Sequence, residues 1–284
     1  ISRHNIATAN WKRVNMNLLY SDDVEVMNAI LGHELTHVYI EALSEQRFAR
    51  RFGSTRWFHE GLASYLEYRL FLRTERIQQL GRQAAVVFDR EQVEFELLVD
   101  NAAWLRKYDS NLVYALGEAF MHGLVDRYGD EAPGKIIRAT NRPEAPVSLS
   151  GMAFWRDAFQ ACGYDLSSAI DGFYQHLGKL KNENKAFVDS LPRMRARITS
   201  EDSWIGLEPL ADLALPAGAE VICQFRGSPE DGPEEYHQVP LGEDGKFWVS
   251  GNLFPGRTLW YQLGLSTDET DYPIYEPWKE SRVR

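Results

Sequence analysis

The sequence predicts an α+β protein, with a mainly helical part over residues 1–198 and a small β-rich part over 199–284. Three observations carry this expectation. Between residues 21 and 180 apolar side chains recur every three or four positions, the period of helices packed on one side. After about residue 190 that period gives way to short runs, AEVICQFRG, KFWVSGN and RTLWYQLGLS, separated by clusters of Gly, Pro and Asp. Such runs suggest a small β-sandwich. Near the start, KRVNMNLLY at 12–20 alternates Val14, Met16 and Leu18 and reads as a strand.

The first helix follows that strand. Asp22 with Glu25 three residues later reads as a capping box, and Val24, Met27, Ile30, Leu31, Leu35 and Val38 then form an apolar face. Within it lies His33-Glu34-Leu35-Thr36-His37. At 3.6 residues per turn the two histidines stand about 40° apart on one face, so both imidazoles can reach a single metal ion. Glu34 lies beside the pair, where a carboxylate can take a proton from a metal-activated water. Gly32 should cost about 1 kcal/mol in mid-helix, which implies that something packs close to the backbone there. This five-residue pattern arises by chance in about one chain of this length in 150, so it needs structural context and a third ligand.

The basic run RFARRFG at 47–53 is expected to be a solvated loop. STRWFHEGLASYLEYRL, 54–70, reads as a second helix with Phe58, Leu62, Tyr65, Leu66 and Leu70 as its stripe, and Glu60 stands in its early turns beside Trp57, Phe58 and His59. A helix over 108–129 follows from the spacing of Leu112, Val113, Leu116, Phe120, Leu124 and Val125, with Gly129 as its stop. SGMAFWRDAFQACGYDLSSAIDGFYQHL, 150–177, continues the helical part, and the polar stretch 181–202 reads as a linker or terminal helix. A metzincin would continue the histidine motif with Gly and His, but Ile40 and Leu43 stand there, so that class is excluded.

HELTH followed by WFHEGLASYLEY resembles the gluzincin metallopeptidases, those of the aminopeptidase N type and the wider peptidase MA-like group. The resemblance implies a thermolysin-like catalytic domain over 1–198, with most of the usual upstream sheet absent. It implies zinc as the cofactor, held by His33, His37 and Glu60. The family's Asn before the ligand glutamate is His59 here, which can orient a ligand by a hydrogen bond or compete as the ligand. Tyr114-x-x-Gly117 resembles a family segment whose tyrosine points at the polarised carbonyl, so Tyr114 is the expected oxyanion donor and Tyr108 the reserve. The strand before the zinc helix is expected to pair with extended substrate, giving Met16 and Asn17 as substrate-binding residues. An extracytoplasmic location is favoured by the same resemblance.

Composition sets limits on partners. A net charge of -10 argues against nucleic acid, and no run of about 18 apolar residues is present to span a membrane. Cys162 and Cys223 lack zinc-finger spacing and read as two buried thiols, with pairing across domains as the alternative. The first residue is Ile and no signal peptide is seen, which reads as a processed or truncated product. His122 is expected to be surface or partly buried, and His4, His176 and His237 show no partner pattern. Trp248, Trp260 and Tyr261 are expected to serve core and sheet packing rather than ligand binding.

The expected activity is zinc-dependent hydrolysis of a polypeptide by metal-activated water, with Glu34 as base and Tyr114 as oxyanion donor. An endopeptidase is expected, because no Gly-x-Met-Glu-Asn segment to anchor a free amine occurs in residues 1–32. The alternatives are a non-catalytic peptidase-like binding protein and a metal-dependent hydrolase of a non-peptide bond.

Overall fold

Residues 7–10, 13–16, 23–71, 73–90, 93–231, 235–253 and 258–282 are described by the structure, a computed structural model of the chain. Helix and sheet are both present, as an α+β chain requires. The order is β1 (Ala7–Asn10), β2 (Arg13–Met16), α1 (Val24–Leu43), a 3-10 turn (Ala49–Arg51), α2 (Phe52–Phe71), α3 (Thr74–Arg90), α4 (Phe95–Val99), α5 (Asn101–Lys107) and α6 (Leu112–Tyr128). Then come α7 (Ala132–Ala139), α8 (Gly151–Ala161), α9 (Leu166–Glu183), α10 (Lys185–Ser190), β3 (Met194–Glu201), β4 (Trp204–Ala211), β5 (Glu220–Arg226) and β6 (His237–Val239). The chain continues with β7 (Phe247–Ser250), a 3-10 turn (Gly251–Leu253), β8 (Thr258–Ser266), β9 (Ile274–Tyr275) and β10 (Lys279–Arg282).

Helix α1 departs from expectation at both its cap and its face. Asp23 is the cap, its carboxylate accepting from the backbone N–H of Glu25 at 2.8 Å and of Val26 at 3.2 Å. Asp22 lies outside the described residues. The buried stripe is Ala29, His33, Thr36 and Ile40, at helical spacing, so the histidine side of the helix faces inward. The expected apolar face is instead partly exposed: Val24 is 69% and Leu35 48% accessible. Thr36 donates to the Gly32 carbonyl, which lets a hydroxyl sit in that inner stripe. The close neighbour implied by Gly32 is the Phe71 ring, which a Cβ there would meet at 2.2 Å.

Helix α2 is buried nearly all round from Trp57 to Tyr65, and α6 crosses it. The crossing is close because two glycines meet: a Cβ on Gly61 would lie 2.3 Å from the Gly117 carbonyl carbon, and one on Gly117 would lie 2.3 Å from the Trp57 carbonyl oxygen. No other residue fits at either position without displacing backbone. Trp57, Phe58, Phe95, Phe120, Trp155 and Phe173 pack around this crossing in the main core.

The β part begins at Met194, so the expected boundary at 198 falls inside β3. Met194, Ala196 and Ile198 alternate with Arg195, Arg197 and Thr199, which is strand periodicity hidden among arginines. The strands form a three-stranded sheet β3-β4-β7 and a five-stranded sheet β10-β8-β5-β6 with β9 also on β8, all antiparallel. Met194, Ile205 and Leu207 from the first meet Cys223, Phe225, Leu259 and Leu263 from the second in one core. Tyr261 is buried there as expected, while Trp248 and Trp260 are half-buried. Arg226 fastens this part to the helices, donating to the carbonyls of Leu105 at 2.8 Å and Arg106 at 3.0 Å while stacking over Trp278.

Strand β2 pairs with β1, Met16 opposite Ala7, and both strands lie against α1. Asn17 and the remainder of the expected strand lie outside the described residues. The basic run at 47–53 is no solvated loop: Arg47 and Arg51 donate to the carbonyls of Ala145 and Leu149 and pin the 145–149 segment. Both cysteines are free thiols. Among the described residues no helix is long and apolar enough to cross a membrane.

Candidate metal centre

The inner stripe of α1 and the early turns of α2 bring three side chains together. Glu60 Oε2 lies 3.5 Å from His33 Nε2 and 3.4 Å from His37 Nε2. One ligand atom from each residue falls within 4.8 Å of the other two. These separations can be compared with those of a metal site. Four donors at about 2.0–2.1 Å around zinc are about 3.3–3.4 Å apart along a tetrahedral edge. Two imidazoles and one carboxylate, with that spacing and largely buried, fit a three-ligand zinc site with an open position.

The three groups are also coupled electrostatically. Burial alone would raise the Glu60 carboxyl, but hydrogen bonds from His33 and His37 hold it well below the usual carboxylate range. Burial also opposes charge on His33, yet hydrogen bonds to Glu60 and Glu67 overcome it and hold the imidazole up at about 9. The pocket therefore favours positive charge between these carboxylates.

His59, adjacent to Glu60, points elsewhere. Its Nε2 lies 2.9 Å from Glu41 Oε1, and its ring packs between His37, at 5.6 Å between centroids, and Phe48. Glu41 is in turn fixed by the Ala49 backbone N–H at 3.1 Å. His59 thus supports His37 by ring contact and is not among the converging donors.

Glu34 is half-buried; burial raises its pKa, while the charges of His37 and His33 draw it back. Tyr114 lies one turn before the Gly117 crossing, and its ring stands 6.1 Å from that of His33. The nearby Glu60 charge, with burial, keeps its hydroxyl far from ionisation, so it remains a donor. Tyr108, the reserve, stacks on Trp104 at 4.4 Å between centroids, in the core below α5.

No protein-family model matches the chain, and no curated protein matches it at a significant level.

Several residues at the centre carried no motif. Glu67 accepts on Oε2 from His33 Nδ1 at 3.2 Å, the ring nitrogen opposite the one facing Glu60. Its position was legible in principle, since it lies seven residues after Glu60 and so on the same side of α2. Arg73 donates to Glu67 Oε1 at 3.1 Å, and Arg76 pairs with Oε2. Burial would raise the Glu67 carboxyl, but the His33 hydrogen bond and the Arg76 charge hold it down at about 2. His122, partly buried as expected, pairs with Glu118 and stacks on His176 at 4.9 Å, away from the donors. His237 is exposed on β6, and His4 lies outside the described residues.

Proposed function

We propose that the chain is a zinc-dependent peptidase of the gluzincin type, with a thermolysin-like helical arrangement, cleaving polypeptides internally. One observation carries the reading: His33 Nε2 and His37 Nε2 lie 3.5 and 3.4 Å from Glu60 Oε2, close to a tetrahedral edge, and the three residues converge from two helices. The motif residue between the histidines, Glu34, and the tyrosine of the glycine crossing, Tyr114, border the same donors.

His33, His37 and Glu60 would hold the zinc, which when bound would supply Lewis acidity toward a carbonyl and a water. Glu34 takes the proton of the attacking water and hands it to the leaving amine. Burial raises its pKa, and the charges of His37 and His33 draw it back. The Tyr114 hydroxyl donates to the oxygen as negative charge develops there, an interaction stronger in the transition state than in the substrate. Glu67 holds the His33 ring by Nδ1, leaving Nε2 directed at the metal position.

The deciding experiment is Glu34→Gln. The variant is expected to bind about one zinc per chain, as the wild type should, and to lose peptide hydrolysis, because a base is removed and no ligand is. Undiminished hydrolysis, or metal lost along with activity, would count against the assignment.

A further inference from the structure

The turn between β8 and β9 belongs by sequence to the β part, yet it lies along α3 and reaches the candidate metal centre. Gln79 donates to the Asp268 carbonyl at 3.0 Å, and Arg82 pairs with Glu269. Leu265 and Ile274, at either side of the turn, pack with Ala85 and Val86 of α3. Held this way, the turn delivers two side chains inward. Asp271 Oδ2 accepts from Arg76 Nε at 3.1 Å, across 195 residues of sequence. Tyr272 stacks on Tyr114 with centroids 5.4 Å apart and planes 28° from parallel, and it packs against the main helical core.

Arg76 links that turn to the metal donors. Its guanidinium is largely buried and is shared between Asp271 and Glu67. A buried guanidinium stays in place only while its donors are satisfied, and loss of one carboxylate frees it to re-aim at the other. Glu67 Oε2 accepts from both Arg76 and His33 Nδ1, so a shift of Arg76 changes the hydrogen bond that sets the His33 ring.

We infer that the β8–β9 turn is a working part of the metal centre: Asp271 is a positioning residue that fixes His33 through Arg76 and Glu67, and Tyr272 gives the Tyr114 ring its resting face. The helical part and the β part then make one site, and the β part is more than an appended module. This inference rests on the metal reading above, but its first readout needs no metal.

The test compares Asp271→Asn with Glu276→Gln in the full chain. Glu276 braces the same interface, accepting from Arg90 at 3.1 Å and from the Met194 backbone N–H at 2.9 Å, without touching the relay. In metal-free protein with ¹⁵N-labelled histidine, Asp271→Asn is expected to shift or broaden the His33 Nδ1–H resonance, with Asp271→Glu restoring it in part. Zinc affinity by chelator competition should fall by about tenfold in Asp271→Asn. Glu276→Gln should lower thermal stability and leave both readouts at the wild-type value. Equal effects from Glu276→Gln, or none from Asp271→Asn, would overturn the inference. A wild type that binds no zinc, but whose His33 resonance still responds to Asp271→Asn, would support the relay and sink the metal reading.

Discussion

Glu67 Oε2 lies 3.2 Å from His33 Nδ1, while the opposite nitrogen of the same ring faces Glu60 at 3.5 Å. One imidazole is thus gripped between two carboxylates from a single helix, seven residues apart. The inner carboxylate sits among the converging donors, and the outer one sets the ring's tautomer and angle.

Glu67→Gln should therefore weaken zinc binding although the residue is no ligand. The amide keeps the shape but gives up the charge that holds Arg73, Arg76 and the His33 N–H together. A loss of about 10- to 100-fold in affinity is expected by chelator competition. Glu60→Ala should lose more, while His59→Ala, which removes a ring packed beside His37, should lose less than either. A larger loss from His59→Ala than from Glu60→Ala would reverse the ligand assignment.

Tyr114→Phe should lower kcat for peptide hydrolysis by about 10²- to 10³-fold with little change in KM if, as proposed, the hydroxyl acts on charge that exists only in the transition state. Tyr272→Phe keeps the stacked ring and should stay near the wild-type rate. Tyr108→Phe should also be near neutral for rate, since its ring lies on Trp104. Equal kcat for Tyr114→Phe and wild type would remove the oxyanion role.

The readable parts of the site were those fixed by local spacing. His33 and His37 at i and i+4, and the helix that carries Glu60, follow from helical period, while Glu60 as the third ligand is what the gluzincin resemblance implies. Glu67 was within reach of the same reasoning, but a glutamate two turns along a helix is also a common solvated residue, and only burial distinguishes the two. Asp271 and Tyr272 could not be read, because their contact with α3 depends on how the β part docks, and no local period encodes that. The face of α1 departs from its apolar pattern for a related reason. Val24 and Leu35 count as apolar in any pattern, yet the helix turns its histidines inward because Glu60 and Glu67 satisfy them there. β3 was hidden because arginines at alternate positions make a strand look like a charged linker.

Asp109 offers a measurement of stability against pH away from the donors. Burial pushes its carboxyl up to about 6 from 3.8, partly offset by hydrogen bonds from the Asn111 and Ser110 backbone and by the Arg56 charge. Between those two values the folded chain holds a proton that the unfolded chain has released, so this contribution to stability falls as pH rises from 3.8 to about 6 and is constant above. A rise from 3.8 to about 6 corresponds to about 3 kcal/mol. Asp109→Asn keeps an acceptor for the Asn111 N–H, now 2.8 Å from the carboxylate, and removes the charge. The variant is expected to be more stable at pH 7 by up to about 3 kcal/mol in urea unfolding, with a flatter profile between pH 4 and 6. An unchanged profile would show that the carboxyl ionises without penalty.

The direction in which substrate lies distinguishes an endopeptidase from an aminopeptidase. Among the described residues β2 pairs with β1 alone, and a strand edge of this kind can take up an extended chain by backbone pairing. Met16, at the end of β2, stands opposite Ala7 and half-buried above α1, the helix that carries His33 and His37. Residues 1–32 hold no Gly-x-Met-Glu-Asn segment. Without such a glutamate a charged substrate amine would lose its water and gain no partner, at a cost of several kcal/mol. Peptides matched in sequence, one with a free and one with an acetylated N-terminus, should therefore be cut at comparable kcat/KM and at an internal bond. Replacing Met16 with Pro, which cannot donate to an added strand and fixes its own backbone, should raise KM for both peptides. Strong preference for the free amine, with residues released one at a time, would make the chain an aminopeptidase instead.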